Sequence, residues 1–293
     1  MSTSSSPISL IIPVYNEERG VARLGKPLDA LLGNLPDGSE IILVNDGSKD
    51  GTASALEKLA DGRPALRVLS HPFNIGYGAA LKTGFAQARN EVLAICDADG
   101  TYPLEQLPTL LDAMDESTEM VVGLRPLKAQ SAIRRPAKWF LNAFASYLAR
   151  VPVPDVNSGL RVFRKGAAQR HHRLFPEGFS LTTTLTMALL GEGKVVRWVP
   201  IRFRERVGSS KIRPIRDTAS FILLLCRMAM LFQPLRVFGP LSAVMLLSGL
   251  GLLIARAFMD DTVGVATTVV LIVTGVLVFF MGLLADQINR RGA

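Results

Sequence analysis

The sequence predicts an α/β domain with a mostly parallel sheet, followed by interfacial helices and two transmembrane helices. Three observations predict it. Short β-rich apolar runs alternate with helical patterns through roughly the first two hundred residues, the arrangement of a parallel sheet covered by helices on both faces. Several of those runs end abruptly in Asp, Asn and Gly. Two long uncharged runs close the chain, each reaching the roughly 20 residues needed to cross a bilayer.

Taken in order, strands are expected at residues 9–13, 40–45, 65–69, 92–97, 120–123, 159–163 and 195–203, each a short apolar run bounded by polar or turn-forming residues. Helices are expected between them at 18–32, 52–60, 79–88, 104–114, 137–149 and 183–190, where apolar residues recur at helical spacing. This domain is placed at 1–210. Residues 211–235 begin basic and turn apolar, broken by Arg227. Too short to span, they fit helices lying in the membrane interface. The hairpin and tail occupy 236–293, with uncharged runs at 237–255 and 262–285.

Lys211, Arg213, Arg216, Arg227 and Arg236 precede the hairpin, Arg290 and Arg291 follow it, and Asp260-Asp261 lie in its connection. Both ends are therefore expected in the cytoplasm, with the protein multi-pass in the inner (plasma) membrane and its large domain cytoplasmic. Arg256, at the outer end of the first span, can snorkel to the interface. The N-terminal Met1-Ser-Thr-Ser-Ser-Ser-Pro lacks the apolar core of a signal peptide. Two cysteines, Cys96 and Cys226, stand outside any ligand-spaced cluster, so neither a disulfide nor a zinc site is expected. The net charge of +8 gathers between Arg197 and Arg236. Membrane lipids and phosphorylated substrates suit that position, and no nucleic-acid partner is expected.

The most informative run is Glu91-Val-Leu-Ala-Ile-Cys-Asp-Ala-Asp-Gly, where Asp97 and Asp99 fall at a strand's carboxyl end. Sheets of this class bind ligands there, and two carboxylates bracketing one small residue can clamp a divalent cation against a diphosphate. Strand one ends in Ile12-Pro-Val-Tyr-Asn-Glu-Glu and strand two in Val44-Asn-Asp-Gly-Ser. Three polar strand ends on one edge suit a nucleotide and its metal. His171-His172 has no acidic or cysteine partner at metal spacing, and Gly76-Tyr-Gly78 is an incomplete dinucleotide fingerprint.

These motifs, with Asn74-Ile-Gly-Tyr-Gly-Ala-Ala-Leu-Lys-Thr-Gly between the second and third, occur in the order found in family 2 glycosyltransferases. The chain resembles that family over about residues 7–235. Gly123-Leu-Arg125, Asp155-Val-Asn-Ser-Gly-Leu-Arg161 and Arg206-Val-Gly-Ser-Ser-Lys211 are similar to its polyprenyl-phosphate branch, which includes dolichyl-phosphate mannose synthases. The two spans resemble a bacterial subgroup with a C-terminal membrane hairpin. The resemblance implies a GT-A fold, a UDP- or GDP-sugar donor, and Mg²⁺ or Mn²⁺ held by Asp97 and Asp99. It also implies a catalytic set of Asp97, Asp99, Arg125 and Asp155. Pro13, Tyr15, Glu17 and Asp46 would line the nucleotide pocket, and Lys82, Arg134, Arg161, Arg206 and Lys211 would complete the substrate contacts.

Asn45 stands where that branch often has Asp, and Thr101 where some relatives place Gln. The run 179–187, where many family members carry a proton-accepting acid, holds no carboxylate. A lipid phosphate nucleophile, already ionised, would need none. The expected function is therefore inverting transfer of a hexosyl group to an undecaprenyl or dolichyl phosphate. The rivals are a processive polysaccharide synthase and a non-catalytic membrane scaffold. The first would carry Gln-x-x-Arg-Trp, where this chain has Lys194-x-x-Arg197-Trp198, and the second would have lost the carboxylates. The sugar, base, prenyl length and oligomeric state, a homo-oligomer included, stay open.

Overall fold

A computed structural model describes residues 6–126, 135–178, 180–204, 214–258 and 265–292. The chain divides into two compact units, Met1–Lys211 and Ile212–Ala293. In the first, seven strands form one sheet: β1 Ile8–Val14, β2 Glu40–Asn45, β3 Leu66–Ser70, β4 Val92–Ile95, β5 Thr118–Leu124, β6 Arg161–Arg164 and β7 Val195–Pro200. Their order is β3-β2-β1-β4-β6-β5-β7. The sheet is mostly parallel, as expected, but β6 runs antiparallel to both neighbours.

The central strands are buried on both faces. Ile8, Leu10, Ile12 and Val14 of β1 join one core, with α1 (Glu18–Leu32), α2 (Thr52–Ala60) and α4 (Leu107–Asp112). Ile11 faces a second core with α3 (Tyr77–Gln87), α6 (Lys165–His171) and α7 (Leu181–Gly191). Opposite-pointing side chains along a strand make this division automatic.

Some boundaries differ from expectation. The helix expected at 104–114 is a short 3₁₀ turn, Leu104–Gln106, followed by α4, with Pro108 in its first turn, where a missing N–H costs least. The strand expected to reach residue 203 stops at Pro200, and α6 was not anticipated at all. His171, in its last turn, is buried 3.3 Å from Glu192.

The second unit comprises α8 (Pro214–Phe232), α9 (Pro234–Phe258) and α10 (Val265–Gly292). Pro234–Arg256 and Val265–Ile288 are long and apolar enough to cross a membrane. Val244, Leu247, Val270 and Leu284 are exposed along them. So much bare aliphatic surface on two helices of that length suits lipid and suggests a membrane protein. Where α9 and α10 meet, Gly249 lies against Ile272, Gly275 against Leu246 and Gly282 against Phe238. Small residues at a helix–helix contact let apolar helices approach when no hydrophobic force drives them together.

Candidate active site

The sheet topology gathers the site. The strands β1, β2, β4 and β5 run the same way, so Tyr15, Asp46, Asp97 and Arg125 all follow strand ends on one edge. Because β6 is reversed, the segment before it returns to that same edge and delivers Asp155, Ser158 and Gly159.

Asp97 follows β4, and the Tyr77 hydroxyl donates to its Oδ1 at 2.9 Å. Burial and then the neighbouring charge of Asp99 push the Asp97 carboxyl up to about 6. Asp99 Oδ1 accepts from the backbone N–H (3.1 Å) and hydroxyl (2.7 Å) of Thr101, an Asx turn that fixes the carboxylate. Thr101 therefore braces the acidic loop. Gly159 packs on the other side: a Cβ there would collide with Asp97 Oδ2, while its N–H donates to the Tyr102 hydroxyl at 2.7 Å. Gly159→Ala is expected to displace the carboxylate and cost about 1–3 kcal/mol of overpacking, measured as a lowered melting temperature together with lost activity.

Opposite this acidic loop lies a cationic cluster. Arg125 grips Asp155 with two hydrogen bonds, Nε to Oδ2 at 2.7 Å and Nη2 to Oδ1 at 2.8 Å. Lys138, on α5 (Arg135–Ala149), stands 3.4 Å from the same carboxylate. Burial would raise the Asp155 pKa, but the bonds and charge of Arg125 and the charge of Lys138 outweigh it, and Asp155 stays below the usual carboxylate range. Burial lowers Lys138 to about 8, against the pull of Asp155. The Arg125 guanidinium also lies 5.9 Å from the Phe203 ring centre, within cation–π range.

Asp46 is buried, and its carboxylate accepts from Asn74 Nδ2 (2.7 Å) and from the N–H groups of Ile75 (3.0 Å) and Gly76 (2.9 Å). It also meets His71 Nδ1 at 2.8 Å, whose Nε2 meets Thr83. Asp46 thus holds the loop entering α3. Gly47, at φ +64°, lies against Phe73, where any side chain would strike backbone, so the two loops close on each other. Pro13 is buried in β1, Tyr15 is exposed and Glu17 half-buried beyond it. The Asn16 N–H donates to Ser48 Oγ (3.0 Å) and the Lys49 N–H to Asn16 Oδ1 (2.8 Å), tying the first two loops together.

Lys82 and Arg161, expected as substrate contacts, both bond to main-chain carbonyls. Lys82 reaches back to the Phe175 carbonyl at 3.4 Å. Arg161 is fully buried, its guanidinium bonded to the carbonyls of Ser158 and Thr182 and to Thr186 Oγ1. In these contacts the cation anchors α7 to the Asp155–Gly159 segment. Arg134, Arg206 and Lys211 lie outside the described residues. Sequence reasoning missed Tyr77, His71, Tyr102 and Lys138 as members of the site. Tyr77 sits in the Asn74 motif, which was the one available signal.

Residues 9–171 match the Glycosyl transferase family 2, and residues 233–290 match the GtrB C-terminal hairpin. The chain belongs to glycosyl transferase family 2. An undecaprenyl-phosphate 4-deoxy-4-formamido-L-arabinose transferase of Pseudomonas fluorescens is 30% identical, over 97% of this chain and 84% of its own. The transferase of that name from Edwardsiella ictaluri is 27% identical, over 97% and 89%. Among solved structures, glucosyl-3-phosphoglycerate synthase from Mycobacterium tuberculosis superposes with a TM-score of 0.61 at 17% identity, over 78% of this chain and 80% of that one. The same enzyme crystallised with Mn²⁺ and UDP-glucose gives 0.58 at 20%, over 78% and 81%. The fold of this family 2 member is thus of the GT-A type.

Proposed function

We propose that this family 2 enzyme transfers a glycosyl group from a UDP- or GDP-sugar to the phosphate of a polyprenyl phosphate. The reading is carried by opposite charges facing each other at one sheet edge. Asp97 and Asp99 suit a metal-bound diphosphate, and the Arg125–Asp155–Lys138 cluster suits an incoming phosphate. The undecaprenyl-phosphate transferases aligned along nearly the whole chain support that acceptor.

The residues present fit a divalent cation. Asp97 is desolvated beside the Asp99 carboxylate and resists ionisation, a cost that a cation would remove. Among the described residues no group of three acidic, His or Cys side chains could hold a metal alone. That is the pattern for Mg²⁺ or Mn²⁺, which take one or two carboxylates and complete their shell with substrate phosphates and water. Held by Asp97 and Asp99, the ion would supply positive charge to the departing diphosphate. Tyr77 orients Asp97 from behind, so Tyr77→Phe is expected to weaken Mn²⁺ binding about 10–100-fold, the usual cost of losing an outer-sphere partner, as measured by calorimetry.

The acceptor's own oxygen attacks the anomeric carbon, inverting it as the nucleotide diphosphate leaves. No protein base is needed: Asp155 is committed to Arg125 and Lys138, and α7 presents buried threonines rather than a carboxylate. Asp155 therefore serves as the anchor that aims Arg125, while Pro13, Tyr15, Glu17 and Asp46 shape the nucleotide side. Arg134, Arg206 and Lys211 are assigned to the lipid phosphate from their motifs alone. Turnover is expected to rise as the acceptor passes its second ionisation, near pH 6 for phosphate esters generally, and a polyprenol lacking phosphate should not react. Equal rates with the alcohol would overturn the acceptor assignment.

The basic residues flanking the hairpin support a topology with both of its ends in the cytoplasm of a plasma-membrane protein. A reporter fused after Ala293 should read as cytoplasmic and one inserted at Asp260-Asp261 as external. The reverse pattern would invert the topology.

A further inference from the structure

Residues 155–159 join the two halves of the site. Asp155, at one end, anchors Arg125 and faces Lys138. Gly159, at the other, packs against the Asp97 carboxylate. The Cα atoms of residues two places apart are separated by at most about 7 Å even in a fully extended chain, so Asn157 lies within that reach of both ends. The transferred sugar has to occupy the same interval. It leaves a diphosphate placed at Asp97 and Asp99 and meets a phosphate oxygen placed at Arg125, and in a reactive complex that oxygen stands about 3–3.5 Å from the anomeric carbon. This position of the sugar rests on the donor and acceptor sites proposed above.

Asp155, Val156, Ser158 and Gly159 are buried, and Asn157 is the exposed member of the segment. Its side chain is held in place. Thr182 Oγ1 donates to Asn157 Oδ1 at 3.0 Å, and the Asn157 N–H donates to Asp155 Oδ1 at 3.3 Å. Thr182 is itself buried, with Arg161 Nη1 donating to its carbonyl at 2.8 Å. The backbone beneath is equally fixed: Asn142 Nδ2 donates to the Pro154 carbonyl (2.6 Å), Val156 N–H to Asn142 Oδ1 (3.2 Å) and Trp198 Nε1 to the Asp155 carbonyl (3.0 Å). The amide oxygen of Asn157 is therefore engaged, whereas Nδ2, a donor of two N–H groups, has no partner among the described residues. A fixed, solvent-facing N–H recognises an oxygen lone pair. We propose that Asn157 Nδ2 donates to a hydroxyl oxygen of the transferred sugar and that this residue discriminates between donor sugars. A sugar that lacks the hydroxyl, or carries it on the opposite side of the ring, forfeits the bond, and selection by such a polar contact exceeds what apolar packing gives.

The test is a calorimetric titration of the full-length protein in detergent with Mn²⁺ and no lipid acceptor. Wild type and Asn157→Ala are titrated with UDP and GDP, with their glucose, galactose and mannose conjugates, and with analogues of the preferred donor deoxygenated at single ring positions. Asn157→Ala is expected to weaken the preferred nucleotide sugar about tenfold, the upper end of one neutral hydrogen bond, and to leave the nucleoside diphosphate nearly unchanged. One deoxygenated analogue should bind wild type about tenfold more weakly than its parent and bind both proteins alike. The remaining analogues should keep the same ratio between the two proteins, so that non-additivity at a single ring position marks the hydroxyl that Asn157 reads. Equal weakening of the nucleotide with and without its sugar would overturn the proposal by making Asn157 a structural residue. So would additive effects at every ring position. Wild-type binding of a nucleotide sugar tests the donor reading and the ratios in Asn157→Ala test this residue, so the two can fail separately. A wild type that binds no nucleotide sugar would overturn the donor reading and this inference with it.

Discussion

Asp99→Asn lowers turnover by at least about two orders of magnitude, the scale of losing one preorganised charge stabiliser, while the fold survives. Both Thr101 hydrogen bonds end on Asp99 Oδ1, and asparagine keeps that acceptor, so the loop stays in place as the charge disappears. Asp97→Asn has the same effect on rate with a different signature in stability. The folded chain holds the Asp97 proton up to about 6 against an ordinary value of 3.8, so it binds more protons than the unfolded chain in between. Metal-free wild type therefore loses stability as pH rises from roughly 4 to roughly 6, by on the order of 3 kcal/mol at most. In Asp97→Asn that slope vanishes. Circular dichroism of melting across this pH range, alongside steady-state rates with added metal, checks both halves. Wild-type turnover in either variant would remove the carboxylates from the reaction.

Asp155→Ala is the most destabilising single change expected in the site. The carboxylate is nearly inaccessible and Arg125 is held by it at two of its three nitrogens, Nε and Nη2. Removing it leaves two cations facing each other in a desolvated place, a loss of about 3–5 kcal/mol. The double variant Arg125→Leu/Asp155→Leu should recover much of that stability, because a pair of apolar side chains needs no counter-charge. It should recover none of the activity. A double-mutant cycle read by thermal unfolding and by rate separates the two roles. Equal stability of Asp155→Ala and wild type would mean that the pair does not hold this edge together.

The sequence made the strand-end motifs legible because a buried strand must stop where Asp, Asn and Gly begin, as after Val44 and Ile95. The hairpin was legible for a similar reason, since uncharged runs of that length have one comfortable solvent. The direction of β6 was not. No pattern within Arg161–Arg164 says which way the strand runs, yet its reversal is what brings Asp155 and Gly159 to face Asp97. Burial of cations was equally hidden: Arg125 and Arg161 both close glycine-containing motifs, but one lines the site and the other is bonded to main-chain carbonyls inside it. The role of Tyr77 is not legible in Gly76-Tyr-Gly78, because it depends on α3 meeting the end of β4, a contact between distant segments. Lys138 lay in a helix expected only to cover the sheet.

The central claim is that a sugar arrives on a lipid phosphate. Protein reconstituted in vesicles is supplied with a panel of UDP- and GDP-sugars, Mg²⁺ or Mn²⁺, and undecaprenyl phosphate, and the extracted lipid is analysed by mass spectrometry. The predicted result is a lipid phosphate heavier by one glycosyl residue with one of the donors, abolished by chelation and by Asp99→Asn. Lipid phosphate left unchanged by every donor while the nucleotide sugar is consumed, or a chain of several sugars in place of one, would contradict the account.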